Sequence, residues 1–189
     1  MHKIISLFLI LTLGCISCKT SEKEIDTLEI AKKYYQFLDN SDASAMVTLL
    51  GDSIVIRETD DDYQEVFSQK RYGEWVKWDS VFEPTYDILE MMQENGMVKA
   101  KISKTDKRIH FLHEAPIVSF EVIHFDKNKI IRVEKTYEAF NASTFLKNRG
   151  ELLNWVDEFH PELNGYLHDQ TLSGGLNYLK AMELYRNKK

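Results

Sequence analysis

Two glutamates in the second half of the chain, Glu121 and Glu134, have types and spacing that could do chemistry. Two extended stretches meet at Lys127-Asn128. If these two residues form the turn of a hairpin, Glu121 lies opposite Glu134, with Arg132 diagonal to them. Opposed β-carbons in a sheet are about 5 Å apart, so the two carboxylates repel each other unless solvent, an arginine or a proton relieves the repulsion. The pattern predicts either an exposed polar strand face or a pocket.

The other face of this predicted hairpin is nearly apolar. Its members are Val118, Phe120, Val122, His124, Ile131, Val133, Lys135 and Tyr137. If the carboxylate face lines a pocket, the apolar face must be covered from outside. Either the C-terminal part of the chain or a second copy could cover it, so a monomer and a homodimer are both open.

No metal or cofactor is predicted. His110 and His113 are three residues apart, but Ile109 to Leu112 has the pattern of a short strand, on which this spacing sends the rings to opposite faces. The sequence has no phosphate-binding loop and no nucleophile elbow. Trp75 lies on a predicted helix, three residues before a second tryptophan, where it could stack on a ligand or pack in a core.

The elements that must position these residues follow from hydrophobic periodicity. Ile25 to Leu38 has helical spacing, a short helix ends at Gly51, Ser53 to Glu58 is β-branched, and Ser68 can cap a third helix. Four or five antiparallel strands follow, with a turn at Asn95-Gly96. This order predicts the α+β class, with helices on one face of a curved antiparallel sheet and a helical extension over residues 142–189.

Two segments resemble the nuclear transport factor 2-like superfamily, which includes SnoaL-like and ketosteroid isomerase-like proteins. They are DNSDASAMVTLLGDSIVIRE and IVSFEVIHFDKNKIIRVEKTYEAF, and the resemblance covers residues 25–140. It implies a cone, formed by the curved sheet and three N-terminal helices, with a pocket inside. The fold hosts isomerases, cyclases, hydrolases and proteins with only a pocket, so it does not decide function.

The resemblance also implies a site. Ketosteroid isomerases use a tyrosine on the first helix, a carboxylate base after the first strand and a neutral acid on the penultimate strand. These roles fall on Tyr34, Glu58 and Glu121. Glutamates replace both aspartates, and an acidic Thr-Asp-Asp-Asp stretch follows Glu58. Glu134, Arg132 and Trp75 are then expected to contact a ligand.

The N-terminus has the pattern of a secretory signal. A positive start precedes ten mostly apolar residues, Ile4 to Leu13, which form about 15 Å of helix, too short for a hydrocarbon core of roughly 30 Å. Leu11-Thr12-Leu13-Gly14-Cys15 resembles a bacterial lipobox, and Cys18 is the alternative lipidation site. We expect a signal peptide over 1–14, a tether over 15–24, a domain over 25–141 and the extension over 142–189.

The net charge of the chain limits which kinds of partner are expected. The formal charge is −6 and no basic run is present, so nucleic acid is not an expected partner. The expected partners are a lipid bilayer, through acyl chains in the cell envelope, and an unknown small molecule. Three functions stay open: a module that binds a small or hydrophobic ligand, an isomerase-like or cyclase-like enzyme, and a structural lipoprotein with a filled cone.

Overall fold

The computed structural model describes residues 26–163, 165 and 169–188. The predicted signal, Cys15, Cys18 and the tether lie outside these residues. Within the described residues, no helix is both long enough and apolar enough to cross a bilayer.

The described chain alternates helices and strands in its first part and ends in two helices. The elements are α1 (Thr27–Asp39), α2 (Ala43–Leu49), β1 (Leu50–Glu58), β2 (Tyr63–Ser68), α3 (Gln69–Ser80), β3 (Thr85–Glu94), β4 (Met97–Thr105), α4 (Lys107–Leu112), β5 (Ile117–Asp126), β6 (Lys129–Ala139), α5 (Ala142–Phe159) and α6 (Leu172–Arg186). A 3₁₀ turn, Pro161–Leu163, follows α5.

Side-chain caps fix where the helices begin. The carboxylate of Asp26 accepts from the backbone N–H of Glu29 at the start of α1, and Asp42 and Ser68 do the same for α2 and α3. The predicted cap at Ser68 is therefore confirmed. The predicted Asn95-Gly96 turn is also confirmed, with positive φ angles at both residues.

The six strands form one open sheet in the order β2-β1-β6-β5-β4-β3. Neighbouring strands are antiparallel except β1 and β6, which are parallel. The predicted α+β cone with a C-terminal helical extension is confirmed, but the sheet is mixed rather than wholly antiparallel. The parallel pair arises because β1 and β6 are far apart in sequence and no hairpin joins them.

One local prediction is wrong, and one strand was missed. Ile109 to Leu112 belongs to helix α4, because Asp106 caps the backbone N–H of Ile109, and Ile109 and Leu112, three residues apart, are both buried on one helix face. Strand β2 was not predicted, since only Phe67 in it is buried and its polar residues have the composition of a loop.

Two hydrophobic clusters organise the molecule. The first fills the space between the inner sheet face and α1 and α3, and its members include Tyr34, Tyr35, Leu38, Met46, Ile54, Tyr72 and Ile102. The second joins α5 and α6 to α3 and α4, through Trp78, Phe82, Leu112, Leu152, Val156, Tyr178 and Met182. The extension thus packs on helices and does not cover the outer face of the sheet.

Helix α6 approaches its neighbours closely at its first turn. A β-carbon at Gly174 would lie 2.0 Å from the carbonyl oxygen of Asp169, and one at Gly175 would lie 3.0 Å from that of Trp78. Both glycines lie in the first turn of α6, where a side chain would not fit. The glycine pair fixes the position of the segment 169–171 against α3.

Candidate functional site

A cavity of about 260 Å³ lies between the inner face of the sheet and helices α3 and α4. The sheet supplies polar side chains, α3 supplies tryptophans and α4 supplies an arginine. The lining residues are Glu58, Trp75, Trp78, Tyr86, Lys104, Arg108, Ile109, Ile117, Ser119, Glu121, Lys135, Tyr137 and Gln170. Of the three predicted catalytic residues, Glu58 and Glu121 line this cavity and Tyr34 does not.

A second, smaller cavity of about 130 Å³ adjoins the first. The two share Glu58, Trp75, Lys135 and Gln170. The remaining lining of the smaller cavity is more apolar and aromatic: Ile56, Tyr63, Glu65, Phe67 and Tyr72. Trp75 therefore lies where the two compartments meet.

Three charged residues lie side by side across three strands. Glu58 on β1 is the register partner of Lys135 on β6, and Lys135 is in turn the partner of Glu121 on β5. The lysine therefore lies between two carboxylates on the inner face. This lysine was expected on the opposite, apolar face.

A β-bulge explains the difference. The predicted turn is confirmed, since Asp126 pairs with Lys129 and Phe125 with Ile130. Beyond that point the register shifts by one residue: His124 pairs with Arg132, and Ile131 has no partner of its own. The predicted pairing of Glu121 with Glu134 is therefore wrong.

Glu134 and Arg132 consequently lie on the outer face, away from the cavity. Nη1 of Arg132 is 3.2 Å from Oε1 of Glu134, and Nε2 of His124 is 3.5 Å from Oε2. Burial raises the pKa of Glu134, but the hydrogen bond from Arg132 and the charge of His124 outweigh it, and the pKa stays below its ordinary value. These two predicted ligand contacts form an ion-pair group on the sheet surface.

Glu121 is buried and accepts from several donors. The Tyr35 hydroxyl is 2.9 Å from Oε2, the Ser119 hydroxyl is 2.9 Å from Oε1, and Nζ of Lys135 is 3.3 Å from Oε1. Such contacts stabilise a charged carboxylate. The geometry is that of an ion-paired acceptor and differs from the neutral hydrogen-bond donor that the resemblance implies.

Tyr34 lies behind the cavity lining. It is wholly buried, and its hydroxyl is 2.5 Å from that of Tyr72. The neighbouring residue, Tyr35, is the one that reaches Glu121, and burial raises the pKa of both Tyr34 and Tyr35. Consecutive helical residues point about 100° apart, so a one-residue difference in alignment selects another direction.

Glu58 lies at the end of β1 beside Tyr137. Burial raises the pKa of the Tyr137 hydroxyl, and the charge and hydrogen bonding of Glu58 raise it further. Tyr137 was expected on the face opposite Glu121, and the same bulge places it on the same face as Glu121, at the cavity. Among the residues that the structure describes, no lysine, arginine or histidine forms an ion pair with Glu58.

The other cations of the cavity already have partners. Nζ of Lys104 is 2.6 Å from Oδ1 of the buried Asp79 and 3.6 Å from Oδ2 of Asp106. It also lies 4.8 Å from the ring centre of Tyr86. Arg108 lies 3.9 Å from Asp106 and faces the Trp78 ring at 5.3 Å. These pairs hold one end of the cavity in a fixed, balanced arrangement.

The histidines singled out from the sequence have separate surroundings. His113 Nδ1 donates to the carbonyl of Ala115, its Nε2 accepts from the backbone N–H of Asn141, and its ring stacks on Phe140. His113 thus positions the start of α5, while His110 is exposed. Within the described ranges, no group of three or more His, Cys, Asp or Glu side chains could hold a metal ion.

Comparisons with known proteins give structural matches but no sequence match. No family model matches the sequence, and no curated protein matches it. An epoxide hydrolase-like protein of M. tuberculosis superposes with a TM-score of 0.52 at 14% identity, over 69% of this chain and 96% of its own. A ketosteroid isomerase-like protein of Kribbella flavida superposes with a TM-score of 0.50 at 12% identity, over 61% and 80%.

The chain has a nuclear transport factor 2-like fold. These identities establish the fold alone, so the chemistry of the nuclear transport factor 2-like domain must be inferred from its own residues. Its cavity combines Glu58, an ion-paired Glu121 and aromatic rings. Such a site can accept hydrogen bonds, bind charge and stack on a flat ligand.

Proposed function

We propose that the nuclear transport factor 2-like domain binds a small organic ligand in its cavity without transforming it. The observation that carries this proposal is the open volume of about 260 Å³ at the inner face of the sheet. A cone filled by its own side chains would leave no such space. Its lining combines charged side chains with aromatic rings, and convergent polar groups beside aromatic surface are found at small-molecule sites.

The shape of the site indicates what kind of ligand fits. The larger compartment holds most of the charged groups, and the smaller one ends at Phe67 and Tyr72. Trp75 contacts both. A ligand with one polar end and one flat apolar end would match this division, since each part would meet a surface of its own character.

An isomerase-like or cyclase-like reaction is less well supported by the same geometry. Proton abstraction next to a carbonyl needs a base and donors for the developing oxyanion. Glu58 could serve as the base, but Tyr34 is held by Tyr72 behind the lining and Glu121 is an ion-paired acceptor. A base without its donors favours binding over catalysis.

The test of cavity binding uses two matched substitutions. Ile117→Trp places an indole in the cavity, and Ile131→Trp places one on the outer face, where Ile131 is 38% exposed. A library of small aromatic amines, alcohols and acids is screened by ligand-observed NMR. We expect fragments that bind the wild-type protein and the Ile131→Trp variant but not the Ile117→Trp variant. If no fragment distinguishes the two variants, the proposal is wrong.

We also propose that this domain is anchored to a membrane of the cell envelope by acyl chains on Cys15 or Cys18. The support is the short apolar run followed by the lipobox-like Leu-Thr-Leu-Gly-Cys. Mass spectrometry of the membrane fraction should find a mature protein that begins at one of the two cysteines and carries acyl chains. Cys15→Ser and Cys18→Ser, compared in parallel, identify the modified residue, and a mature protein without acyl chains would overturn the anchor.

A further inference from the structure

The charged groups in and directly behind the cavity do not balance. The cations are Lys104, Arg108 and Lys135, and the carboxylates are Glu58, Asp79, Asp106 and Glu121. Every cation in this set has a carboxylate partner within 4 Å. Among the described residues, Glu58 is in no such ion pair: its register partner Lys135 is paired with Glu121, and Glu58 is hydrogen-bonded to the Tyr137 hydroxyl. Glu58 is half-buried, so water solvates it in part, but a carboxylate that lines a cavity and is in no ion pair still favours an incoming positive charge.

The surroundings of Glu58 add negative potential at the same end of the cavity. The turn between β1 and β2 contains Asp60, Asp61 and Asp62. Oδ2 of Asp60 accepts from the backbone N–H of Tyr137 at 2.6 Å, which fixes this turn beside the cavity residues of β6. Only Asp62 of the three is paired with a cation, Arg57. Such a field attracts cations and repels anions.

Aromatic faces near Glu58 suit the same kind of ligand. Trp75, Tyr72 and Tyr63 line the smaller compartment next to Glu58. Rings of this kind bind ammonium groups, and Lys104 already lies over Tyr86 and Trp75 at 4.8 and 5.7 Å from the ring centres. The ring faces and Phe67 would also cover a flat apolar group attached to the amine.

We propose that the cavity is a site for an amine that carries a flat apolar group, with the ammonium paired to Glu58 and the apolar group in the smaller compartment. This inference rests on the proposed function and gives its ligand a chemical class. An anionic ligand would need an unpaired cation, and the described cations of the cavity are all engaged with carboxylates. A neutral ligand would leave Glu58 outside any ion pair with the described residues.

The test uses three probes that share a phenyl ring and differ in their polar end: 2-phenylethylamine, 2-phenylethanol and phenylacetate. Affinities for the mature protein are measured by NMR titration at one salt concentration. We expect the amine to bind at least about tenfold more tightly than the alcohol, and phenylacetate to bind most weakly. Glu58→Gln should remove the advantage of the amine and leave the affinity for the alcohol within about twofold.

Two control variants sharpen this result. Glu134→Gln makes the same change on the outer face and should keep the preference for the amine, because Glu134 lies outside the cavity. Glu58→Asp keeps the charge and should keep part of the preference. The variants at position 58 also reveal misfolding. A misfolded variant would lose binding of all three probes, whereas loss of the charge alone would weaken only the amine.

The outcomes separate the two proposals. If the alcohol or phenylacetate binds more tightly than the amine, and Ile117→Trp blocks that binding, the amine class is wrong and the cavity is still a ligand site. If the amine keeps its advantage in Glu58→Gln, the pairing with Glu58 is wrong. If no probe or fragment is sensitive to Ile117→Trp, the binding function itself is wrong, and this inference fails with it.

Discussion

The two faces of the β5–β6 hairpin carry the same kind of ion pair in different surroundings. On the inner face, Lys135 lies 3.3 Å from Glu121, whose side chain is 3% exposed. On the outer face, Arg132 lies 3.2 Å from Glu134, whose side chain is 25% exposed. The distances are nearly equal, but water can replace the lost partner only on the outer face.

This difference teaches that charged residues adjacent in the sequence can belong to ion pairs with different roles. Glu134 and Lys135 are adjacent in the chain, and they belong to opposite faces because side chains alternate along a strand. The inner pair, enclosed by the domain, orients groups around a cavity. The outer pair is a solvated surface feature whose removal should cost little.

The largest effect on stability is expected from removing the inner cation, Lys135, and it is compared with removal of the outer cation, Arg132. Lys135→Met leaves Glu121 buried with hydroxyl donors alone, and we expect a loss of about 3 kcal/mol in the free energy of unfolding. Arg132→Met should cost less than about 1 kcal/mol. Urea unfolding of both variants measures the difference. Equal losses in the two variants would show that burial does not distinguish the pairs.

A smaller effect is expected where the extension closes the inner face. Gly174→Ala forces a methyl group against the carbonyl oxygen of Asp169, and should cost about 1–3 kcal/mol and displace Gln170 from the cavity. Acrylamide should then quench Trp75 more strongly, with Trp75→Phe used to isolate its signal. The inner face would become more accessible to water, like the outer face.

Gly150→Ala is the matched control for this prediction. Gly150 lies within α5, and a β-carbon there meets nothing within 4 Å. Alanine at this position should stabilise the helix by about 0.5–1 kcal/mol and leave Trp75 quenching unchanged. Increased quenching in both variants would show that Gln170 does not control access to the cavity.

The smallest expected effect is the pH dependence of the stability that the outer pair, Arg132 and Glu134, contributes. The pKa of Glu134 in the folded chain lies below its ordinary value of 4.5, so its stabilising contribution is present above that value and is lost as pH falls through the folded pKa. Glu134→Gln removes this contribution, which should be below about 1 kcal/mol because the pair is partly solvated. The wild-type and variant urea midpoints should differ near neutral pH and converge in acid. A constant difference would contradict the pKa shift.

The local signals of the sequence predicted most of the fold. Ser68 and Asn95-Gly96 act within three residues of themselves, so their effects are independent of distant contacts. Hydrophobic periodicity gave the wrong element where a short apolar segment could form either a strand or a helix. Ile109 to Leu112 is apolar enough for a strand, and only the cap from Asp106 and burial against the extension make it a helix.

The candidate site was predictable in part. The resemblance placed Glu58 and Glu121 at the cavity, and Trp75 lines it as expected. Lys135 and Tyr137 were missed because the bulge at Ile131 reverses the faces of β6. A sequence signal for this bulge is the pair Ile130-Ile131, since two adjacent aliphatic residues break the alternation of a strand with one buried face.

The sequence by itself determined most of the element order, the helix start at Ser68, the hairpin turns and the presence of carboxylates on strands near the pocket. These follow from local backbone preferences and from hydrophobic periodicity. Only the tertiary structure decided which carboxylate is paired with Lys135 and which is left without a cation. Register depends on how β6 packs between β5 and β1 at once, and a shift of one residue exchanges the two faces.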